Sequence, residues 1–78
     1  PNPGAWFYFK GERYKILKAN ISNSFGTPGK VINDKIEISC GKNSIKILEI
    51  QREGKKVQKI NDFILGSIIR KGDELIDA

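Results

Sequence analysis

The apolar residues of this chain fall in short runs separated by turn-forming residues, and most runs alternate with polar positions at a period of two. This spacing is typical of β-strands, because successive side chains of a strand point to opposite faces of a sheet. The most concentrated run, residues 45–50, lies between the turn formers Gly41, Asn43 and Gly54. A nearly continuous apolar run indicates a strand covered on both faces. We therefore predict that residues 45–50 form the central strand.

An aromatic-rich strand is predicted near the start of the chain, where residues 6–9 hold four of the seven aromatic residues. Alternation puts Trp6 and Tyr8 on one face of this strand and Phe7 and Phe9 on the other. At least one pair is expected in the core or against another domain. The second interpretation is that one pair forms an exposed platform on which RNA bases stack.

The turn signal Lys10-Gly11 predicts a hairpin between the aromatic strand and residues 13–19. Alternation divides the second strand into two faces: Tyr14, Ile16 and Lys18 against Arg13, Lys15, Leu17 and Ala19. The cations Arg13, Lys15 and Lys18 have two interpretations that the sequence leaves open. They form a basic strip, or they keep an exposed sheet edge solvated and unpaired.

The middle of the chain predicts a long loop followed by short strands. Residues 20–30 are rich in Asn, Ser, Gly and Pro, which favour turns over regular elements, and Lys30 at their end is the only cation among them. Val31-Ile32 is expected to restart a strand, and residues 36–40 to form the next one. The turns 33–35 and 41–43 complete a meander of short antiparallel strands.

After the central strand, Gly54 predicts a tight turn that carries Lys55 and Lys56, with Arg52 just before it. Lysine is a point charge suited to phosphate contacts, although a solvated turn explains the same residues.

The last third of the chain predicts one helix and one strand. Ile60, Phe63 and Ile64 recur at helical spacing and predict one short amphipathic helix closed by Gly66. Ile68-Ile69 is expected to form a final short strand, followed by a turn at 71–73 and a last apolar contact at Leu75-Ile76.

These elements predict a mainly β fold, a small partly open Greek-key barrel resembling the oligonucleotide-binding fold, with one short helix near the C-terminus. The usual helix of that fold lies between the third and fourth strands, where this chain shows no helical pattern. Seventy-eight residues allow a single domain, residues 1–78. The prolines at positions 1 and 3 indicate an entering linker, Pro1 to Gly4.

The composition of the chain indicates which partners and bound groups to expect. Fourteen Lys and Arg against nine Asp and Glu give a net charge of +5, which favours a polyanionic partner such as nucleic acid. With no histidine and one cysteine, a zinc or haem site is not expected, and Cys40 is predicted to be a small buried residue. No run approaches the roughly 20 apolar residues that span a bilayer, and no signal peptide is visible. We expect a cytoplasmic location and no membrane partner.

Five segments together resemble the C-terminal domain of methionyl-tRNA formyltransferase. They are Pro1-Asn2-Pro3-Gly4-Ala5-Trp6-Phe7, Ile16-Leu17-Lys18-Ala19, Gly26-Thr27-Pro28-Gly29-Lys30-Val31-Ile32, Gly54-Lys55-Lys56 followed by Phe63-Ile64 and Gly66, and Gly72-Asp73-Glu74-Leu75. Their order and spacing agree with the family over nearly the whole chain. At the predicted helix cap, where the family usually has a small hydroxyl residue, this chain has Lys59.

The resemblance implies that catalysis belongs to an N-terminal domain absent from this chain. That domain formylates the methionine of initiator tRNA in translation initiation, with 10-formyltetrahydrofolate as the donor. The C-terminal barrel is then a monomeric tRNA-positioning domain, covalently linked to that catalytic domain and without a cofactor or catalytic residues of its own. The absence of histidine and of a Gly-rich phosphate loop agrees with a non-catalytic chain.

Seven cations are the candidate tRNA contacts through phosphate neutralisation: Arg13, Lys15, Lys18, Lys30, Arg52, Lys55 and Lys56. Two alternatives stay open. The chain is the corresponding domain of a sugar-nucleotide formyltransferase or a formyltetrahydrofolate dehydrogenase, or it is a structural module whose aromatic strand packs on a partner domain.

Overall fold

The computed structural model describes residues 5–77, so the predicted linker Pro1 to Gly4 lies outside the described residues. The elements in chain order are β1 (Trp6–Phe9), β2 (Glu12–Ser22), β3 (Glu37–Ser39), β4 (Ser44–Arg52), β5 (Val57–Lys59), α1 (Ile60–Gly66) and β6 (Ile76–Asp77). Nothing helical between residues 5 and 77 is long and apolar enough to cross a membrane.

The strands form one antiparallel sheet in the order β3-β4-β2-β1-β6, with β5 paired to β4. The sheet curls into a half-barrel, and the short helix lies between β5 and β6. This architecture confirms the predicted mainly β class and is consistent with a barrel of the oligonucleotide-binding type.

A narrow segment at residues 29–31 bridges the two edges of the curled sheet. On one side Val31 pairs with Ile38, and on the other Lys30 pairs with Glu74. The Gly29 backbone has a φ of +84°, and a Cβ there would lie 2.9 Å from the Leu75 carbonyl oxygen, so glycine fits this crossing best. The predicted strand at Val31-Ile32 is therefore only an isolated bridge, because its backbone groups are divided between two neighbours.

The predicted central strand is confirmed as β4, which pairs with β2, β3 and β5. The prediction that both faces of β4 are covered is wrong. Ile45, Ile47 and Ile50 are buried, whereas Lys46 and Leu48 are exposed. Only the concave face of β4 meets the core, because the single helix of the described residues lies on that side.

The hairpin of β1 and β2 is also confirmed, but the predicted faces of β2 hold only along its first half. Tyr14 and Ile16 are buried, and an irregularity at Lys18 then shifts the strand by one position. Lys18 consequently points to solvent, while Ala19 packs against the core. The alternation of inward and outward side chains in β4 also shifts by one residue at Glu49, which pairs with Lys18. The two strands therefore stay paired on both sides of the irregularity.

The short helix is confirmed at Ile60–Gly66 and closes one end of the core. Phe63 meets the Tyr14 ring edge-on at 5.8 Å between centroids, and Tyr14 stacks on Phe7 at 5.1 Å. Lys59 precedes the helix and its side chain makes no capping hydrogen bond. Packing of the apolar face therefore stabilises this helix more than capping does.

Three further expectations are corrected. The loop predicted from residue 20 begins later, because β2 continues to Ser22 by pairing with β4. Ile68-Ile69 forms no strand in the described structure, although Ile69 is buried in the core. The strand β5 was not predicted, since its three residues are all exposed and carry no apolar alternation.

Strand β3 is the strand that is buried on both faces, because the loop at residues 23–36 covers its outer side. The Ser39 hydroxyl donates to the Thr27 carbonyl within this cover. Cys40 follows the last residue of β3, where its N–H donates to the Asn43 carbonyl oxygen in the turn toward β4, and it is exposed, so its predicted burial is wrong. Period-two alternation indicated neither the burial of Ser39 by a distant loop nor the end of the strand before Cys40.

A buried carboxylate fastens that loop to the sheet. Glu37 is 4% exposed, and it accepts hydrogen bonds from Asn33 Nδ2 at 3.0 Å and from the Ser44 hydroxyl. The Ser44 hydrogen bond lowers the pKa of Glu37 below its ordinary value of 4.5, although desolvation opposes it. Glu37 is therefore held in its charged form.

Glu37→Gln should remove part of the acid sensitivity of folding. A carboxyl group whose pKa is lowered by folding adds stability above about pH 4.5, and this stability is lost as the pH falls through the folded-state pKa. We expect the variant to be less stable at pH 7 and to lose less stability on acidification. Urea unfolding between pH 7 and pH 3 measures both. Glu74→Gln, at an exposed position, is the control, and identical pH profiles for Glu37→Gln and the unmodified chain would contradict the assignment.

Candidate functional site

The convex side of the sheet, called here the outer face, carries the side chains that point away from the core on β1, β2, β4 and β5. The strand register sets their positions, because directly paired residues share a face. Trp6 pairs with Lys15, and Lys15 pairs in turn with Gln51. Glu49 pairs with Lys59 at the far edge. The outer face is thus a continuous four-strand surface.

An aromatic and cationic cluster lies at the β1 side of the outer face. The guanidinium of Arg13 lies 3.9 Å from the centre of the Trp6 ring, and Lys15 Nζ lies 5.4 Å from it. Arg13 also forms an ion pair with Glu53 at 3.6 Å, and its Nε is buried without a hydrogen-bond partner. The Trp6 ring therefore attracts two cations, and the Arg13 guanidinium lies closer to it than the Lys15 ammonium.

The same arrangement decides which aromatic residues are in the core. Phe7 and Phe9 are buried, which confirms core packing for that pair. Trp6 is half-buried and Tyr8 is exposed. The Arg13 guanidinium covers one side of the Trp6 ring. Stacking of an RNA base on the exposed aromatic pair stays a prediction.

Positive charge dominates the outer face. The cations placed there by register and exposure are Arg13, Lys15, Lys18, Lys46 and Lys59, and the carboxylates are Glu49 and Glu53. The two carboxylates make only long contacts, Glu49 at 4.0 Å from Lys18 and Glu53 at 3.6 Å from Arg13. Exposed pairs of this kind are weak and exchange readily with solvent, so the face can still attract an anion.

Lys46 and Lys59 belong to this face but were missed from the sequence. Lys46 lies in the middle of the run that was expected to be covered on both faces. Lys59 directly precedes the helix, so the sequence gives no indication that it belongs to β5. A weak signal was present for Lys46, because it stands between Ile45 and Ile47, the strict alternation of a half-exposed strand.

The structure brings three of the seven predicted cations onto the outer face and places the others elsewhere. Arg52 pairs with the buried Tyr14 and forms a two-point ion pair with Glu12, with Nη2 to Oε1 at 2.8 Å. This contact raises the pKa of Arg52. Lys30 lies on the bridging segment opposite Glu74. Lys55 and Lys56 follow the turn after β4 and line a cleft on the concave side.

That cleft has a volume of about 620 Å³ and lies between the β4–β5 turn and α1. Tyr14 and Phe63 contribute to its wall, and Glu12 and Asp62 contribute carboxylates. Burial raises the pKa of the Tyr14 hydroxyl, and the charge of Glu12 raises it further. Its mixed lining carries both signs of charge. Among residues 5–77, no group of three or more His, Cys, Asp and Glu is placed to hold a metal ion.

Comparisons with known proteins point to one family. The family described as "Formyl transferase, C-terminal domain" matches residues 1–67. The chain is 59% identical to the methionyl-tRNA formyltransferase of Pelagibacter ubique, over 100% of this chain and 26% of that protein. It is 40% identical to the enzyme of the same name from Ruegeria pomeroyi, over 96% of this chain and 25% of that protein. It thus spans about a quarter of the length of these curated relatives.

Proposed function

Because the chain belongs to the formyl transferase C-terminal domain family, we propose that it is the tRNA-docking domain of a methionyl-tRNA formyltransferase. In this proposal residues 1–78 form the C-terminal barrel domain of a longer protein. A covalently linked N-terminal domain then transfers a formyl group from 10-formyltetrahydrofolate to the methionine of initiator tRNA. This chain holds the tRNA, acts as part of a monomer and supplies no catalytic residue.

The observation that supports docking is the charge of the outer face. Five cations stand there against two solvent-accessible carboxylates, and two of the cations lie on the Trp6 ring. A strand rises about 3.3 Å per residue, so Arg13 and Lys15, two apart on one face, are roughly 6.6 Å apart along β2. Cations spread along β2 and onto the neighbouring strands suit a phosphate backbone without reading the base sequence.

Within this face we propose Arg13, Lys15 and Lys18 as phosphate contacts, and we add Lys46 and Lys59 on the basis of the register. That Lys30, Arg52, Lys55 and Lys56 contact tRNA stays a prediction. Arg52 is the weakest of them, because its guanidinium is engaged by Glu12.

A salt titration tests this function. If three or four cations contact phosphates, the affinity for initiator tRNA should fall roughly 10- to 100-fold between 50 and 200 mM salt, since each contact releases counterions. Binding of labelled tRNA to the 78-residue chain, followed by fluorescence anisotropy, gives the slope. An affinity that is independent of salt would contradict phosphate neutralisation.

Trp6 provides an internal probe of the same face. We expect tRNA binding to change the fluorescence of Trp6, the single tryptophan of the chain, because Arg13 and Lys15 contact its ring and would move toward phosphates. The measurement is the emission spectrum during the tRNA titration, with inorganic sulfate as the control for ionic strength. Emission that stays constant while anisotropy reports binding would place the tRNA on another surface.

A further inference from the structure

Arg13 and Trp6 form a stack on the outer face, and one side of this stack is uncovered. The central carbon of the Arg13 guanidinium lies 3.9 Å from the centre of the Trp6 ring. This separation is that of van der Waals contact, so the flat guanidinium lies against the ring. The Arg13 side chain is still 37% exposed. Since the ring covers one side of the guanidinium, the exposed area belongs to its opposite side and to its outer edge.

Hydrogen bonding does not explain the position of this guanidinium. Its Nε is buried without a hydrogen-bond partner, and its Nη2 lies 3.6 Å from Glu53 Oε2, which is longer than a hydrogen bond. A buried donor without a partner lowers stability. The contact with Trp6 therefore positions the guanidinium, and its outer edge is left available to a ligand.

Tyr8 adds an aromatic ring beside the stack. It pairs directly with Arg13, so the two side chains share the outer face, with their Cβ atoms about 5 Å apart. Tyr8 is exposed, whereas Trp6 is half-buried with Arg13 against one of its sides. A flat guanidinium and an exposed ring next to each other form a surface to which another flat group can bind.

We infer that one unpaired base of the tRNA stacks on the open side of the Arg13 guanidinium, beside Tyr8. The inference deepens the proposed function and rests on it, because the tRNA is the source of the base. Proteins hold splayed-out RNA bases on aromatic rings and on guanidinium planes. Bases inside a double helix stack on one another, so only a nucleotide of a loop, a bulge or an end can bind in this way. The edge of the guanidinium remains available for the phosphate contact.

The charges around the stack suit an uncharged base within an anionic chain. The Glu53 carboxylate lies close to Arg13 and repels a phosphate on its side, but it does not repel a neutral base. Lys15 pairs with Trp6 on the same face, and its Nζ lies 5.4 Å from the ring centre. As a point charge, Lys15 suits the phosphates that flank the base. The cluster therefore has separate places for a base and for the backbone that carries it.

Two labelled RNA hexamers of equal charge separate the base from the backbone in an anisotropy titration. One is a uridine hexamer, and the other has the same ribose-phosphate backbone without bases. The unmodified chain should bind the uridine hexamer roughly 5-fold or more tightly, because a single stacked base adds at least that much affinity. Arg13→Lys keeps the charge and removes the flat group, so the two affinities should become nearly equal. Lys18→Ala is the control, which removes a charge and should weaken both hexamers alike.

NMR gives a second readout on the unmodified chain. The Nε–H resonance of Arg13 is identified by its absence from the spectrum of Arg13→Lys. It should move upfield when the uridine hexamer is added, because the ring current of a stacked base shields this proton. The hexamer without bases should cause no upfield shift. A purely structural role of the Arg13 and Trp6 stack would give the same response to both hexamers.

Equal binding of the two hexamers by the unmodified chain would overturn the inference, and so would a preference for bases that survives Arg13→Lys. Thermal unfolding checks that this variant keeps its fold. A chain that binds initiator tRNA with the expected salt dependence, yet does not distinguish the hexamers, would contradict base stacking alone. A chain that distinguishes the hexamers but does not bind initiator tRNA would contradict the proposed function alone, so the two proposals fail separately.

Discussion

Replacing Lys15 and Lys18 by glutamate should lower the affinity of the chain for tRNA by about 100-fold or more in 50 mM salt. Each phosphate contact is worth roughly 10-fold at this salt concentration through counterion release, and the new carboxylates add repulsion. Neither lysine has a buried partner, and Lys18 makes only a long contact of 4.0 Å with Glu49. The fold should therefore be retained. Fluorescence anisotropy with initiator tRNA measures the affinity.

A matched variant separates position from net charge. Lys42→Glu with Lys71→Glu changes the net charge by the same amount, but both residues lie on exposed turns outside the four strands of the outer face. We expect this control to weaken binding less than 10-fold, through the long-range field alone, which salt screens. Equal losses in the two double variants would show that charge and not the outer face governs binding. Adding Lys55→Glu and Lys56→Glu as a third variant tests the turn, where we expect the smaller effect.

Ile50→Ala should remove a large part of the free energy of unfolding of the chain. Ile50 is 0% exposed, it pairs with Ile16 on β2, and β5 flanks it on the other side. Truncating such a residue costs about 2–5 kcal/mol, through lost burial and the cavity that remains. A chain of 78 residues has a total stability of about 4–12 kcal/mol, so one substitution removes a large part of it.

Leu48→Ala, two residues away on the same strand, is the control. Leu48 is 38% exposed on the outer side of β4. Its truncation should cost less than about 1 kcal/mol, because it already contacts water and leaves no closed cavity. Urea unfolding of the two variants measures the difference. Similar losses at the two positions would mean that β4 is covered on both faces after all.

The hairpins and the helix could be predicted because short-range signals specify them. The turn at Lys10-Gly11 and the spacing of Ile60, Phe63 and Ile64 are read within a few residues, and both elements are confirmed. Burial that depends on distant chain could not be predicted this way. Ser39 is buried under the loop that contains Thr27, and no local pattern indicates that cover. Cys40 continues the apolar alternation of β3, yet it lies after the end of the strand and is exposed.

The candidate site shows the same limit. Arg13, Lys15 and Lys18 are predicted together because one strand carries them, whereas Lys46 and Lys59 join them only through pairing between strands. The ion pair of Arg52 with Glu12 joins residues 40 positions apart, and no local pattern indicates it. Composition established the excess of positive charge, but its division between an outer face and a cleft depends on the curl of the sheet.

The most direct measurement for the docking function is a map of the tRNA footprint by NMR. Amide shifts of the isotope-labelled 78-residue chain are followed as unlabelled initiator tRNA is added. The expected shifts lie on the outer face, at Arg13, Lys15 and Lys18 of β2 and at Lys46 and Lys59 on the neighbouring strands. Shifts confined to the cleft around Lys55 and α1, or no shifts at concentrations where anisotropy reports binding, would contradict an outer face that holds tRNA.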